Sequence, residues 1–211
     1  MKPLLIFPCN GNGREALDCL GDEFECIGFV DDAPEKQGHL EHGIPVFGRS
    51  AFVDYPDALI LAVPGSPESF HERANLIHSL GIPHNRFARV IHPHAAVSAY
   101  SKVGYNTLIM SGVVITSNAM IGDHVCILPN SVIHHDSVIG KWSLIGSGVV
   151  VAGGTIIGEN CYVGSGSTIR NNISVGDRSL IGLGSNVVKD VPAVSVIAGN
   201  PAKPFLKRNG K

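Results

Sequence analysis

Residues 127–158 read ILPNSVIHHDSVIGKWSLIGSGVVVAGGTIIG, and Ile127, Ile133, Ile139, Ile145, Val151 and Ile157 fall six residues apart. The same step runs back through Ile121, Ile115, Ile109 and Val103 to Val97, and forward through Val163, Ile169, Val175 and Ile181 to Val187. Val and Ile fill about a fifth of the chain, so sixteen consecutive hits arise by chance roughly once in 10^11. A period of six is neither a helix period nor plain strand alternation; it marks a hexapeptide β-helix. Each hexad supplies a short strand and a corner, and three hexads close one triangular coil. The β-branched residue points inward and stacks on its copies above and below. The fourth residue after it stays small or β-branched (Ser131, Ser137, Ser143, Val149, Thr155, Cys161) and fits the bend. Glycines directly after it (Gly104, Gly122, Gly140, Gly146, Gly158, Gly164, Gly176, Gly182) are expected to supply the corner's unusual dihedrals. Sixteen hexads make just over five coils, a prism roughly 25 Å tall.

The composition fits an aliphatic core: of 211 residues, 44% are hydrophobic but only 6% aromatic. The formal net charge is −2, and Lys and Arg are scattered apart from a tail carrying Lys207, Arg208 and Lys211. That argues against nucleic-acid and membrane-surface partners, which need concentrated positive charge. No apolar run approaches the ~18 residues of a bilayer span, and the apolar stretch in MKPLLIFPCNGNG is too short for a signal peptide. Five cysteines (Cys9, Cys19, Cys26, Cys126, Cys161) form no CxxC pair and are odd in number. A disulfide framework and a zinc cluster are therefore not expected, and a reducing cytoplasm fits.

Before the repeat the pattern changes. Residues 4–7, 26–30 and 58–63 read as strands, 14–20 and 68–80 as helices, and 87–91 as a fourth strand. That alternation predicts a small parallel α/β sheet. The expected organisation is an α/β plus β protein: a Rossmann-like domain over residues 1–92, a parallel β-helix over 93–192, and a tail over 193–211.

Two clusters carry chemistry. Gly11-x-Gly13-x-x-Ala16 follows the first strand, and Asp31 lies twenty residues beyond Gly11. Glycines there let the backbone approach a phosphate while an acid meets a ribose. A plain flexible turn would read the same way. Pro64, Gly65 and Ser66, after the third strand, face the same carboxyl edge and would help line a nucleotide pocket. The second cluster lies inside the repeat, where His134 replaces the usual Gly and His135 and Asp136 follow at the corner. Asp136 can orient the His135 imidazole as a base. One coil later Gly153, beside Gly154, can offer a bare N–H to an oxygen gaining charge. A solvated corner histidine is the plain alternative.

These features together resemble the sugar O/N-acyltransferases of the sialic-acid and bacillosamine type. The resemblance rests on the 8–16 turn, Phe29-Val30-Asp31-Asp32, Ile91-His92-Pro93, the repeat with His135-Asp136, and the closing Gly199-Asn200-Pro201-Ala202-Lys203. It implies a left-handed β-helix, a homotrimer with active sites between neighbouring subunits, and acetyl-CoA as co-substrate without a metal. The N-terminal domain would hold a nucleotide-linked amino sugar, usually UDP-linked, through Asn10, Gly11, Asn12, Gly13, Asp31, Asp32, Pro64, Gly65 and Ser66. His135 matches the general base, Asp136 its orienting acid, and Gly153 the glycine at the thioester oxygen. Acetyl-CoA would lie along Leu144, Gly153, Gly154, Gly164, Gly182, Lys189, Pro201 and Lys203. By charge alone, Lys189, Lys203, Lys207 and Arg208 can meet its phosphates, and solvated tail charges read the same way. The chain departs from the family where Leu128 replaces a frequent Asn and Leu144 a second His, and its Asn10-Gly11-Asn12-Gly13 turn differs from the commoner Ser-Gly-His-Gly. The activity implied is N-acetylation of a nucleotide-linked 4-amino-4,6-dideoxy sugar. GDP-perosamine, dTDP-amino sugars and sialic acid O-acetylation are the enzymatic alternatives, and a β-helix scaffold the non-enzymatic one. A trimeric zinc site is disfavoured because no histidine follows His135.

Overall fold

The computed structural model describes residues 1–205; Lys207, Arg208 and Lys211 lie outside the described residues. Five strands open the chain: β1 (Lys2–Phe7), β2 (Phe24–Val30), β3 (Leu40–Glu41), β4 (Ile44–Phe47) and β5 (Leu59–Ala62). They form one sheet in the order β3-β4-β2-β1-β5, parallel except for the β3–β4 hairpin. Leu4, Leu5 and Ile6 of β1 are fully buried, as a parallel strand covered on both faces requires. The hairpin is absent from the sequence reading. Its turn residues His42 (φ 52°) and Gly43 (φ 80°) both adopt the left-handed region, which suits a tight two-residue hairpin. The two expected helices are shorter than predicted: α1 (Gly11–Glu15) runs into a 3₁₀ turn at Ala16–Cys19, while α3 (Arg73–His78) follows one at Phe70–Glu72 and a short α2 (Ala51–Asp54) precedes both. Segments this short depend on packing rather than propensity, and buried Phe70 and Ile77 provide it.

From residue 89 onward the chain winds as a parallel β-helix. Strand pairs repeat at an offset of eighteen, as in Val114↔Val132 and Ile115↔Ile133. Face 1 holds Thr107–Ile109, Cys126–Ile127, Leu144–Ile145, Tyr162–Val163 and Leu180–Ile181; face 2 holds Val114–Ile115, Val132–Ile133, Val150–Val151 and Thr168–Ile169; face 3 holds Met120–Ile121, Val138–Ile139, Ile156–Ile157 and Ser174–Val175. Ile127, Ile133, Ile139, Ile145, Val151 and Ile157 are all fully buried in one continuous core. Between them Ser131, Ser137, Ser143 and Thr155 are equally buried, and each hydroxyl donates to a carbonyl of the next coil at 2.7–3.1 Å. A small hydroxyl thus fills the bend without leaving a polar atom unpaired.

Two expectations need correction. The glycines after each Val or Ile do not supply unusual dihedrals: positive φ falls two residues later, at Asn106, Gly112, Asn118, His124, Asn130, Asp136, Trp142, Gly148 and onward in steps of six. Gly140 and Gly146 are required instead by close approach of the next coil; a Cβ on Gly146 would lie 2.5 Å from Ser165 N. The expected fourth strand of the α/β sheet also belongs elsewhere. Arg89–Ile91 pairs with Thr107–Ile109 as the first rung of face 1, and only a single bridge from Phe87 to Ile60 ties this segment to the N-terminal sheet.

The N-terminal sheet packs on face 1, where outward-pointing Leu108, Cys126 and Leu144 join Leu4, Ile6, Leu61 and Val63 in a second core. The corner between faces 3 and 1 completes the junction with polar groups. The Asn106 side chain accepts from Ala62 N–H (2.6 Å) and donates to Ala62 O (2.8 Å) and His124 Nδ1 (2.9 Å). These partners orient the amide and make His124 Nδ1 an acceptor, so its proton sits on Nε2 and the ring is neutral. His124 stacks on Trp142 with ring centroids 5.9 Å apart. Burial, reinforced by the Arg73 charge, pushes the His124 pKa down to about 4.

A pH prediction follows from that depression. The His124 contribution to stability is complete above about pH 6.5 and drains away as pH falls toward 4, amounting to roughly 3 kcal/mol. Between pH 7 and pH 4, urea unfolding of wild type should lose about that much more than His124→Asn, which keeps a residue tolerant of φ 62° and cancels acid effects arising elsewhere. Parallel losses in the two proteins would contradict the assignment.

Candidate active site

The corner between faces 2 and 3 carries Asn118, His135-Asp136, Gly153-Gly154 and Asn172 on successive coils. Asp136 occupies the left-handed corner position (φ 58°), which Asp tolerates better than most residues. Its N–H donates to Ser117 O at 3.1 Å, and Gly154 N–H donates to His135 O at 2.9 Å. The backbone ladder therefore fixes both residues. His135 Nδ1 meets Asp136 Oδ2 at 2.7 Å, and Asn118 Nδ2 donates to the other carboxylate oxygen at 3.1 Å. These hydrogen bonds, that from His135 foremost, hold the Asp136 carboxyl below its ordinary pKa. The imidazole is largely exposed, and Nε2 has no hydrogen-bond partner among the described residues. Its Nε2–Cε1 edge lies over Gly153, where a Cβ would approach to 2.6 Å. Gly153 N–H likewise donates to no described residue. An oriented base with a free nitrogen thus sits beside a free backbone donor on an open corner.

The α/β domain builds a different site. Asn10 caps α1 by accepting from Gly13 N–H at 2.9 Å, and a Cβ on Gly13 would overlap Pro8 O, whereas Gly11 has open space around it. Buried Asp31 accepts from Lys36 Nζ at 2.9 Å and from Ala33 N–H, and the same ammonium donates to Cys9 O. Asp32 is engaged by Arg49 through two bonds of 2.6 and 2.7 Å. A cleft of 320 Å³ is lined by Cys9, Arg14, Glu35, Lys36, His39 and Glu41 among others; Asp31 stands behind it through Lys36, and neither Asp31 nor Asp32 lines it. A second cleft of 190 Å³ lies between the domains, lined by Asn12, Gly65, Ser66, Pro67, Leu128, Leu144, Gly146 and Tyr162. The segment around the Asn10–Gly13 turn reaches both clefts, through Cys9 and Arg14 in the first and Asn12 in the second.

Comparison with known structures then gives the fold a context. The acetyltransferase domain of PglB from Neisseria gonorrhoeae FA1090 is 26% identical, with a TM-score of 0.81 over 97% of this chain and 100% of that one. The same domain has been solved with acetyl coenzyme A. A variant of perosamine N-acetyltransferase from Caulobacter crescentus, in complex with CoA and GDP-perosamine, matches at TM-score 0.84 and 23% identity over 98% of each chain. WeeI from Acinetobacter baumannii AYE matches at TM-score 0.82 and 22% identity over 97% of this chain and 100% of that one. The PglB domain and the perosamine enzyme are acetyltransferases. A family model described as the GMPPB C-terminal domain matches residues 87–182, under half of the chain. No curated protein matches the sequence significantly.

Within one chain the predicted site residues fall into separate groups. His135, Asp136, Gly153, Gly154 and Lys189 share the corner between faces 2 and 3. Gly164 and Gly182 stack with Gly146 at the face 1 edge, where Gly164 is buried beneath the next coil. Leu144 is buried against Gly65, so its side chain belongs to the interdomain cleft rather than to an open surface along the prism. Pro201 and Lys203 lie in the closing segment, where Lys203–Pro204 runs antiparallel to Val196–Ala198. The two clefts contain neither His135 nor Gly153. Face 2 lies between them, a hexad spanning at most ~20 Å.

Lys36, Arg49, Asn106 and Arg73 escaped the sequence reading. A lysine five residues after a strand-ending acid was a usable signal for Lys36, whereas Arg49 and Arg73 lie in segments with no motif. Every thiol is held in the protonated form: burial pushes Cys19, Cys26 and Cys161 up to about 11 and Cys126 to about 12, and raises Cys9 as well. With Cys161 also buried inside the prism, a cysteine nucleophile has no support.

Proposed function

We propose that the protein transfers acetyl from acetyl-CoA to the 4-amino group of a nucleotide-linked 4-amino-4,6-dideoxy sugar. A UDP-linked, bacillosamine-type substrate is the first candidate, and GDP-perosamine and dTDP-linked amino sugars come next. The observation that carries the reading is the 2.7 Å His135–Asp136 pair lying over Gly153 with Nε2 free. The sugar amine attacks the thioester carbonyl carbon while His135 Nε2 takes its proton. Asp136 stabilises the imidazolium, and Gly153 N–H donates to the tetrahedral oxyanion. Collapse of the intermediate breaks the carbon–sulfur bond, and the imidazolium returns its proton to the departing CoA thiolate.

The α/β domain supplies the substrate seat in this reading. The nucleoside occupies the 320 Å³ cleft, the diphosphate passes the Asn10–Gly13 turn, and the sugar enters the 190 Å³ cleft. Ligands of open parallel sheets bind at the carboxyl ends of the strands, which is where this path runs. Leu128, Leu144, Pro67 and Tyr162 suit a 6-deoxy sugar better than a fully hydroxylated one, whose hydroxyls would lose partners there.

Because seat and base stand on different corners, a second copy must bring its His135 to the seat. Apolar side chains beside the His135 corner support such an association: Met120 and Ile156 on face 3 are about half exposed, and Val132 and Val150 on face 2 are partly so. A homotrimer of prisms packed side by side around a three-fold axis between them satisfies this arrangement three times.

The direct test is thiol release from acetyl-CoA with UDP-, GDP- and dTDP-linked 4-amino-4,6-dideoxy sugars, with sialic acid as a hydroxyl control. Release with at least one amino sugar and none with sialic acid is expected. Release with sialic acid alone would reassign the reaction to O-acetylation, and no release at all would leave a scaffold.

A further inference from the structure

The Arg73 side chain opens α3 and is 1% exposed, yet no carboxylate among the described residues meets it. Its guanidinium donates to two carbonyls, Pro64 O and, at 2.6 Å, His124 O, while Nε has no partner among the described residues. Burial drags its pKa down to about 10. A buried charge without a counter-ion costs several kcal/mol in lost hydration, and two bonds to carbonyls offset only part of that. Its presence calls for another explanation.

The two carbonyls supply one. Pro64 leads directly into Gly65 (φ 120°) and Ser66, which rim the interdomain cleft, whereas His124 belongs to the β-helix corner. Asn106 already grips both backbone groups of Ala62 from that corner. Arg73 adds a second grip two residues later, at the root of the turn. Beyond it, Ser66 is held within its own turn, by side-chain hydrogen bonds with Ser69 and Glu68 and by the Ser69 and Phe70 N–H groups donating to its carbonyl. We infer that Arg73 is a positioning residue: it sets the Pro64–Ser66 turn against the β-helix and thereby aligns the bound nucleotide-linked sugar. The inference rests on the reading that this turn belongs to the substrate seat.

Arg73→Met in the full-length chain removes both donated bonds and keeps an apolar filling. The KM for the nucleotide-linked amino sugar should rise about tenfold or more, since small misplacements of a bound substrate are costly. The KM for acetyl-CoA should stay within about twofold, with unchanged fluorescence of Trp142, the single tryptophan, which stacks on His124; the two orphaned carbonyls should lower Tm modestly. Arg73→Lys, able to reach one carbonyl, should recover part of the loss. Equal rises in both KM values, unaltered KM values, or losses that track the Trp142 spectrum would overturn the inference.

Calorimetric titration with the UDP- and GDP-linked amino sugars, without acetyl-CoA, separates this inference from the proposed reaction. A wild type that transfers no acetyl but binds a nucleotide-linked sugar more tightly than Arg73→Met refutes the reaction and upholds the positioning role. Equal affinities for the nucleotide-linked sugars, or binding by neither protein, refute the positioning role.

Discussion

Replacing His135 with alanine should lower kcat for acetyl transfer by about 10²–10⁴-fold, the usual contribution of a positioned base. The amine of an amino sugar must lose a proton as it attacks, and Nε2 is the acceptor that Asp136 orients from the far side of the ring. The side chain is largely exposed and fills no core, so the substitution should leave Tm, association and CoA affinity in place. Steady-state thiol release at saturating substrates, with calorimetric CoA binding alongside, reads both effects. An unimpaired variant would remove His135 from the chemistry, and joint loss of activity and CoA affinity would make it a binding residue instead.

Gly153→Ala should come next in size, with activity reduced by about 10²-fold or more, comparable to losing an oxyanion donor. Its φ lies outside the left-handed region, so alanine costs the backbone little. The added Cβ would instead lie 2.6 Å from His135 Nε2 and Cε1 and 3.1 Å from Nδ1. The ring must swing aside, which breaks its alignment with Asp136 and crowds the N–H beneath it. A lowered kcat with an unchanged melting temperature is expected. Gly154→Ala is the paired control: residue 154 has φ 69°, so alanine there strains the corner without meeting the imidazole, and stability should fall more than kcat. If the two variants behaved alike, Gly153 would be a corner glycine and nothing more.

The β-helix was readable because an inward β-branched residue every sixth position repeats without interruption, and the structure buries each such residue from Ile109 to Val187. The stacking of Gly153 on His135 came from the same arithmetic, since eighteen residues make one coil. The left-handed corner position was less visible. Asn and Gly dominate it, but His124, Trp142 and Arg178 also occupy it, and at His124 and Trp142 contacts with the N-terminal domain outweigh the backbone preference. Which face the N-terminal domain covers could not be read, because outward positions are apolar on face 2 (Val114, Val132, Val150) as well as on face 1 (Leu108, Cys126, Leu144). The polar junction was also hidden. Asn106 bonds to Ala62 across 44 residues, and no local pattern encodes such a pairing.

The account turns on a base and a substrate seat that one chain holds apart on different corners of its prism. Mixed oligomers test this most directly. His135→Ala keeps the seat and loses the base, while Ser66→Phe fills the seat and keeps the base. Each alone should be nearly inactive. Subunits dissociated, mixed in equal amounts and reassembled should regain about a quarter of wild-type thiol release, the fraction of sites pairing an intact base with an intact seat in a cyclic assembly. Activity no greater than the sum of the two parents would contradict a site shared between copies.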